Sequence, residues 1–175
     1  MAATFIPIQK IIPNGSSSTV SFTSIPATYT DLVIFGSSRV QGTGNDSSAV
    51  YRFNSDTGAN YSYQFAEIYD NAAVFGAKST TNTRNEIGNL PANGTTTNTY
   101  GSFEIYIPNY AGDKQKISSV TSTSENSSTT AWEIWITANL WRNTAAITQI
   151  DIIDLNGYNF TTASRFDLYG IKNSA

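Results

Sequence analysis

Three carboxylates inside strand-like segments are the residues of this sequence best placed to do chemistry. Glu104, Glu133 and Asp151 each lie within alternating apolar and polar residues, where strands could hold two carboxyl groups at a fixed separation. Glycoside hydrolysis needs such a pair, with one carboxyl acting as general acid. That acid requires an apolar cleft to keep its proton, and the sequence shows no sign of a cleft. We therefore expect these carboxylates to decorate a solvated sheet face, and we expect no enzymatic activity.

The composition excludes most other catalytic chemistry. The chain of 175 residues contains no histidine and no cysteine, which removes the usual general base, the thiolate nucleophile and nearly every zinc site. The segment Asn54–Asn60 spaces oxygen ligands around a glycine, as calcium loops do, but it lacks their terminal glutamate. We expect an ordinary turn around Asp56, and we expect neither a cofactor nor a metal.

Charge and hydropathy narrow the range of partners. A net charge of −3 with only 13% charged residues argues against attachment to nucleic acid or to anionic lipid, which relies on clustered Lys and Arg. No apolar run reaches the length of a transmembrane helix. The N-terminus lacks the basic region of a signal peptide. We expect no nucleic-acid or membrane partner.

Alternation with a period of two runs through the sequence, and no helical period persists. About a third of the residues are Ser, Thr or Asn, well above ordinary usage, which suits polar strand faces and long loops. The pattern predicts an all-β fold: an antiparallel β-sandwich of the jelly-roll or Greek-key type with nine to eleven strands. The stretch Ala131–Leu155 is the most apolar, and we expect it to form two adjacent central strands. The polar stretch Gly76–Thr99 is expected to be a long surface loop.

Three aromatic residues fall on strand faces opposite the better core positions. These are Tyr106, Trp135 and Trp141. Such rings could be covered by loops, could form a subunit interface, or could stack on the sugar rings of a glycan. All three interpretations stay open at this point.

The first thirteen residues are expected to be either an edge strand or a docking arm, followed by one sandwich domain over residues 14–175. Pro7 and Pro13 restrict the segment to an edge or an extended arm, because proline has no N–H for a central ladder. Its apolar side chains must be buried somewhere, which makes them interface candidates: Phe5, Ile6, Ile8, Ile11 and Ile12.

Several phrases of the sequence resemble a family of tailed-bacteriophage virion proteins. They are Tyr106–Gly112, Leu140–Ile147, Ser164–Ile171, Phe22–Val33 and Phe53–Tyr61. Together they span most of the chain, and all are structural phrases without a catalytic signature. The resemblance implies a jelly-roll component of the particle, often trimeric, which is either a head-decorating or cement protein or a distal module of a tail fibre.

The resemblance and the composition together indicate a non-enzymatic structural protein on the outer surface of the virion, made in the host cytoplasm. We favour a capsid decoration or cement protein that contacts the major capsid protein and neighbouring copies as a homo-oligomer, with a trimer preferred. The alternative is a distal tail-fibre or receptor-binding module that binds a host-surface glycan through exposed aromatic residues.

Overall fold

The computed structural model describes residues 4–69, 74–128 and 131–172. These residues form twelve strands and no helix, which confirms the all-β class and exceeds the expected number of strands by one. The strands are β1 (Thr4–Ile11), β2 (Thr19–Phe22), β3 (Asp31–Ser38), β4 (Asp46–Phe53), β5 (Tyr61–Tyr69), β6 (Phe75–Asn82), β7 (Asn85–Pro91), β8 (Gly101–Pro108), β9 (Lys116–Ser128), β10 (Ala131–Trp141), β11 (Ile150–Asp154) and β12 (Arg165–Lys172). No long apolar helix that could cross a membrane is found in these ranges.

The strands form two antiparallel sheets that pack face to face. The larger sheet has eight strands in the order β1-β12-β3-β8-β9-β10-β5-β6, and the smaller has four in the order β2-β11-β4-β7. The chain passes between the sheets after most strands, as in jelly-roll sandwiches. The four-stranded sheet covers one side of the larger sheet, which we call the inner face. The opposite side, the outer face, has no second layer among the described strands.

The core between the sheets is rich in aromatic side chains. Its largest fully buried members include Trp141, Tyr51, Tyr61, Phe22, Phe53, Phe160 and Phe166. Each such side chain contributes about 1.5–3 kcal/mol through removal from water. The sheets are also joined by a polar contact, since the hydroxyls of Tyr51 in β4 and Ser118 in β9 lie 2.6 Å apart. Burial raises the pKa of Tyr51, so this hydroxyl stays neutral.

Two expectations about strands are wrong. The stretch Gly76–Thr99 is not a long loop, because β6 and most of it up to Pro91 form strands. The polar composition of β6 did not indicate a strand because β6 is an exposed edge strand. The alternation of β7 is interrupted by a register shift opposite Ala49 and Val50 of β4. The second error concerns β11, which lies between β2 and β4 in the smaller sheet and does not adjoin β10.

The N-terminal segment forms an edge strand. β1 pairs with β12 along its length, with a register shift between Pro7 and Gln9 where the ladder tolerates a proline. Ile8 and Ile11 pack against the core, whereas Phe5 and Ile12 are half exposed. The segment therefore completes the larger sheet and leaves only part of its apolar surface for a partner.

Gly88 of β7 allows the smaller sheet to pack closely on Trp135 of the larger sheet. Its φ is +122°, and a Cβ there would lie 2.6 Å from Ser122 Oγ and 2.8 Å from Trp135 Cγ. Any larger residue would push β7 away from β9 and β10. The burial of Trp135 thus depends on a glycine at position 88.

We expect Gly88→Ala to lower the free energy of unfolding by about 2–4 kcal/mol, because backbone strain and overpacking add together. Gly157→Ala is the matched control: Gly157 also has a positive φ, of +79°, but nothing lies within 4 Å of its added Cβ. The control should lose only about 1 kcal/mol. Urea unfolding measures both, and equal losses would contradict the close packing of Trp135 under β7.

Candidate functional site

The outer face is the candidate functional surface, and the orientation of β10 determines its composition. Strand β10 turns Trp132, Ile134 and Ile136 outward, and Trp132 is 65% exposed. It turns Trp135 and Trp141 into the core, where they are 8% and 1% exposed. The assignment of Trp135 and Trp141 to the strand face opposite the core is therefore wrong, and of the three interpretations left open for these two rings, the structure shows burial. Neither ring is free to contact a partner.

Trp141 is anchored by the Asp56 turn. Its indole N–H donates to Asp56 Oδ2 at 2.8 Å, and its ring stacks on Tyr61 at a centroid distance of 6.3 Å. The same carboxylate accepts bonds from the Asn60 amide at 2.9 Å and from the backbone N–H of Gly58 at 2.8 Å. Partial burial raises the pKa of Asp56, but these bonds outweigh it and hold the pKa below its usual value. The loop is therefore a turn in which the carboxylate oxygens of Asp56 accept hydrogen bonds from N–H groups of the protein.

Asp56→Ala should destabilise the protein by about 1–3 kcal/mol, because it leaves the buried indole N–H of Trp141 without an acceptor. Asp113→Ala is the control: that carboxylate is 87% exposed and pairs with the also exposed Lys114, so its removal should change stability by less than about 0.5 kcal/mol. Thermal unfolding of the wild type should be the same in calcium and in EDTA. A calcium-dependent rise in Tm that Asp56→Ala abolishes would contradict the assignment of a plain turn.

A polar groove crosses the middle of the outer face. Strand pairing places small hydroxyl side chains side by side on neighbouring strands, in the row Ser37 of β3, Ser102 of β8 and Thr123 of β9. The Ser102 and Thr123 hydroxyls are hydrogen-bonded at 3.0 Å. Arg165 of β12 begins the row and Ile134 of β10 ends it. Small residues between large ones leave a hollow that runs across the strands.

Two hollows make up this polar groove, and they share Thr123. One, of about 400 Å³, is also lined by Phe35, Glu104, Thr121 and the Arg165–Asp167 ion pair. The other, of about 440 Å³, is lined by Tyr100, Glu125 and Trp132. Both volumes are in the range of small-molecule sites, about 300–1,000 Å³.

Buried Arg39 supports the wall of the groove beside Tyr100. Its guanidinium donates to Thr95 Oγ1 at 2.8 Å and to the carbonyls of Thr96 and Thr99 at 3.0 and 2.9 Å. The Thr96 hydroxyl in turn donates to Glu125 Oε1 at 2.5 Å. That bond is the main cause holding the pKa of Glu125 below its usual value, so this carboxylate is charged at neutral pH. These hydrogen bonds hold the wall of the groove in place.

The other half of the outer face is an apolar patch on β9, β10 and β5. Its members are Ile117, Ile136, Ile68 and Leu140. Ile117 is 61% exposed, Ile136 57% and Ile68 44%. A hollow of about 320 Å³ lies between Ile117, Leu140 and the polar side chains of Gln64 and Lys78. An exposed apolar patch of this kind is a candidate surface for contact with another protein.

The remaining interface candidates lie toward the β1 edge. Phe5 forms an aromatic cluster with Phe35 and Tyr169, with ring centroids 5.9–6.2 Å apart. Tyr106 is half buried on the outer face, and its hydroxyl donates to Asp31 Oδ2 at 3.0 Å. Burial and this acceptor raise the pKa of Tyr106. Ile6 is half buried like Ile8 and Ile11, so Phe5 and Ile12 supply most of the exposed apolar surface of the segment.

The three carboxylates singled out in the sequence do not come together. Glu104 lies on the outer face, Glu133 is buried on the inner face, and Asp151 lies in the smaller sheet, bonded to Ser55 and Gln149. Glu133 instead meets Glu67. Within the described ranges, no three acidic residues gather as metal ligands.

Two buried carboxyls, Glu86 in β7 and Glu133 in β10, have raised pKa values. Burial raises the pKa of Glu133 to about 7, aided by Glu67 and opposed by the nearby indole of Trp135 and by the Asn89 amide, which donates to Oε2 at 3.3 Å. Burial also raises the pKa of Glu86 to about 7, opposed by Arg84. Ionisation of either carboxyl near neutral pH therefore lowers the stability of the folded state.

Stability should therefore fall as pH rises from about 4.5 to about 7, because the folded state binds more protons than the unfolded state in this window. Glu133→Gln should reduce that fall by on the order of 1 kcal/mol, with allowance for partial solvent access. Glu86→Gln should act in the same direction, and the double variant should show the smallest fall. Urea unfolding at pH 5 and pH 8 measures the fall in the free energy of unfolding. If Glu133→Gln shows the same fall as the wild type, the raised pKa of Glu133 is refuted.

No family model and no curated protein sequence matches this chain. Solved structures with some likeness include galectin LEC-6 of Caenorhabditis elegans, with 6% identity and a TM-score of 0.35 over 94% of this chain and 96% of that one. A bifunctional GH43-CE protein of Bacteroides eggerthii has 10% identity and a TM-score of 0.37, with 83% of this chain and 19% of that one covered. The tripod from the baseplate of bacteriophage Tuc2009 has 14% identity and a TM-score of 0.31, with 98% and 64% covered. These likenesses are too remote to assign a family.

The polar groove was missed in the sequence for a physical reason. Ser37, Ser102 and Thr123 lie far apart in the chain, and only strand pairing aligns them. The one local signal is the alternation of hydroxyls in β9, where Thr121 and Thr123 flank the inward Ser122. Trp132 gives no sequence signal of exposure either, because it shares its strand face with the aliphatic Ile134 and Ile136, a pattern typical of a core face.

Proposed function

We propose that this protein is a non-enzymatic structural protein of the bacteriophage virion surface, which docks on other virion proteins through the apolar patch. The single observation that carries the proposal is the uncovered outer face, where Ile117 and Ile136 are more than half exposed on a rigid sheet. The resemblance of the sequence to virion proteins supplies the identity of the partners. A histidine-free and cysteine-free chain has little catalytic chemistry to offer beside this surface.

In its more specific form, the proposal is a head-decoration or cement protein. The apolar patch packs on the major capsid protein or on a neighbouring copy in a trimer, and the protein lies on the outside of the particle after synthesis in the host cytoplasm. An interface of about 800 Å² per partner would bury the patch and a polar rim. The alternative location, a distal tail-fibre module, could use the same patch to contact the fibre.

Two measurements test this role. Gold-labelled antibody against the protein should label the heads of purified virions of the encoding phage. Purified protein should also rebind particles that lack it, with Ile117→Asp and Ile136→Asp each weakening rebinding at least about tenfold, because a desolvated charge opposes docking.

Leu155→Asp is the matched control, since Leu155 is 44% exposed but lies outside the patch. It should rebind as the wild type does. Label on the tail instead of the head would select the tail-fibre location. Absence of label, or patch variants that rebind normally, would overturn the proposal.

A further inference from the structure

The polar groove has the dimensions of an extended ligand site. It runs from Arg165 on β12 across β3, β8 and β9 to Trp132 on β10. Four inter-strand spacings of about 4.8 Å give it a length of about 19 Å, enough for several sugar rings in line. We propose that this groove binds a neutral linear oligosaccharide.

The floor of the groove offers hydroxyl groups that the protein itself leaves free. The hydroxyls of Ser37 and Thr121 make no hydrogen bond to another described residue, and both side chains are exposed. Ser102 and Thr123 bond to each other, which still leaves each oxygen with unused capacity. A hydroxyl both donates and accepts, which matches the hydroxyls of a sugar.

A peptide fits this floor less well. Peptides recognised by sheets add a strand to a free edge, where backbone N–H and C=O groups are unpaired. The backbone of β3, β8 and β9 is already paired on both sides within the sheet. The groove therefore offers side-chain hydroxyls in place of a backbone ladder.

Aromatic rings lie at both ends of the groove. Trp132 is 65% exposed at one end and Phe35 is 38% exposed at the other. Sugar rings have apolar C–H faces that pack on flat aromatic surfaces, while their rims form hydrogen bonds. The two rings would hold the terminal sugars, with the hydroxyl floor between them.

The charges around the groove select a neutral ligand. Glu104 makes no ion pair within the part of the chain that the structure describes, and Glu125 at the other end is bonded only by hydroxyl and backbone groups. Two cations oppose these carboxylates: Arg165 is held by Asp167 through two bonds at 2.5 and 3.0 Å, and Arg39 is buried behind the wall, where its charge acts on Glu125. The surplus of carboxylates repels uronic acids and phosphorylated sugars.

This inference goes beyond the proposed docking role and uses a neighbouring region of the outer face, which meets the apolar patch where Ile136 pairs with Thr121. Docking depends on the isoleucines of the apolar patch, whereas sugar binding depends on Thr123, Trp132 and Glu104. Either property can fail while the other stands.

The test is calorimetric titration of the intact protein with chitotetraose, cellotetraose and maltotetraose, with tetragalacturonate as the anionic comparison. At least one neutral tetrasaccharide should bind, at least about tenfold more tightly than its monosaccharide, because several subsites act together. Trp132→Ala and Thr123→Val should each weaken binding about tenfold while leaving the melting temperature within a few degrees of the wild type. Tetragalacturonate should bind more weakly than the neutral ligand.

Thr80→Val is the matched control, since it makes the same chemical change on the outer side of β6, away from the groove. It and Ile117→Asp should bind the sugar as the wild type does. The proposal is overturned if none of the neutral tetrasaccharides binds, if Trp132→Ala and Thr123→Val bind unchanged, or if the anionic tetrasaccharide binds as tightly. Loss of particle docking in Ile117→Asp with sugar binding intact would separate this site from the docking role.

Discussion

The burial of Trp135 and Trp141 against the smaller sheet is the constraint on which the rest of the structure depends. Trp141 donates to Asp56 at 2.8 Å, and Trp135 lies under the close approach at Gly88, with its ring 4.4 Å from that of Phe65. Because side chains alternate along a strand, fixing these two rings inward forces Trp132, Ile134 and Ile136 outward. The composition of the outer face follows from how the core is packed.

That orientation gives the outer face two regions of different chemistry. Where β9 and β10 meet β5, the outward side chains include four isoleucines, with Ser and Ala residues between them, and this region is the one proposed for contact with a protein. The isoleucines are Ile68, Ile117, Ile134 and Ile136. Where β9 meets β8 and β3, Ser and Thr lie between Arg165 and Trp132, beside Phe35 and Glu104, and this region is the one proposed to bind a hydroxylated ligand. The proposed docking surface and the proposed sugar groove therefore lie side by side on a single sheet.

Much of the fold could be read from the sequence, whereas the surface could not. Alternation identified most strands, including β8 and β10, because one face of each is buried. It missed β6 and β7, since an edge strand exposed on both faces and a bulged strand both lose the period of two. For β10, the alternation identified the two faces, but the face with Ile134, Ile136 and Leu140 was taken as the core. Residue type alone favours that face, whereas contacts with other strands and turns bury the face with Trp135 and Trp141. The burial of these two rings depends on Asp56 and Gly88, which are distant from β10 in the sequence.

The orientation of the tryptophans in β10 is the central claim, and acrylamide quenching of tryptophan fluorescence tests it most directly. The wild type should show one accessible class of indole and one protected class. Trp132→Phe, a conservative change at an exposed site, should remove the accessible class and leave only protected fluorescence from Trp135 and Trp141. If a readily quenched class remains in Trp132→Phe at full strength, one of the other two indoles faces solvent, and the assignment of inner and outer faces is wrong.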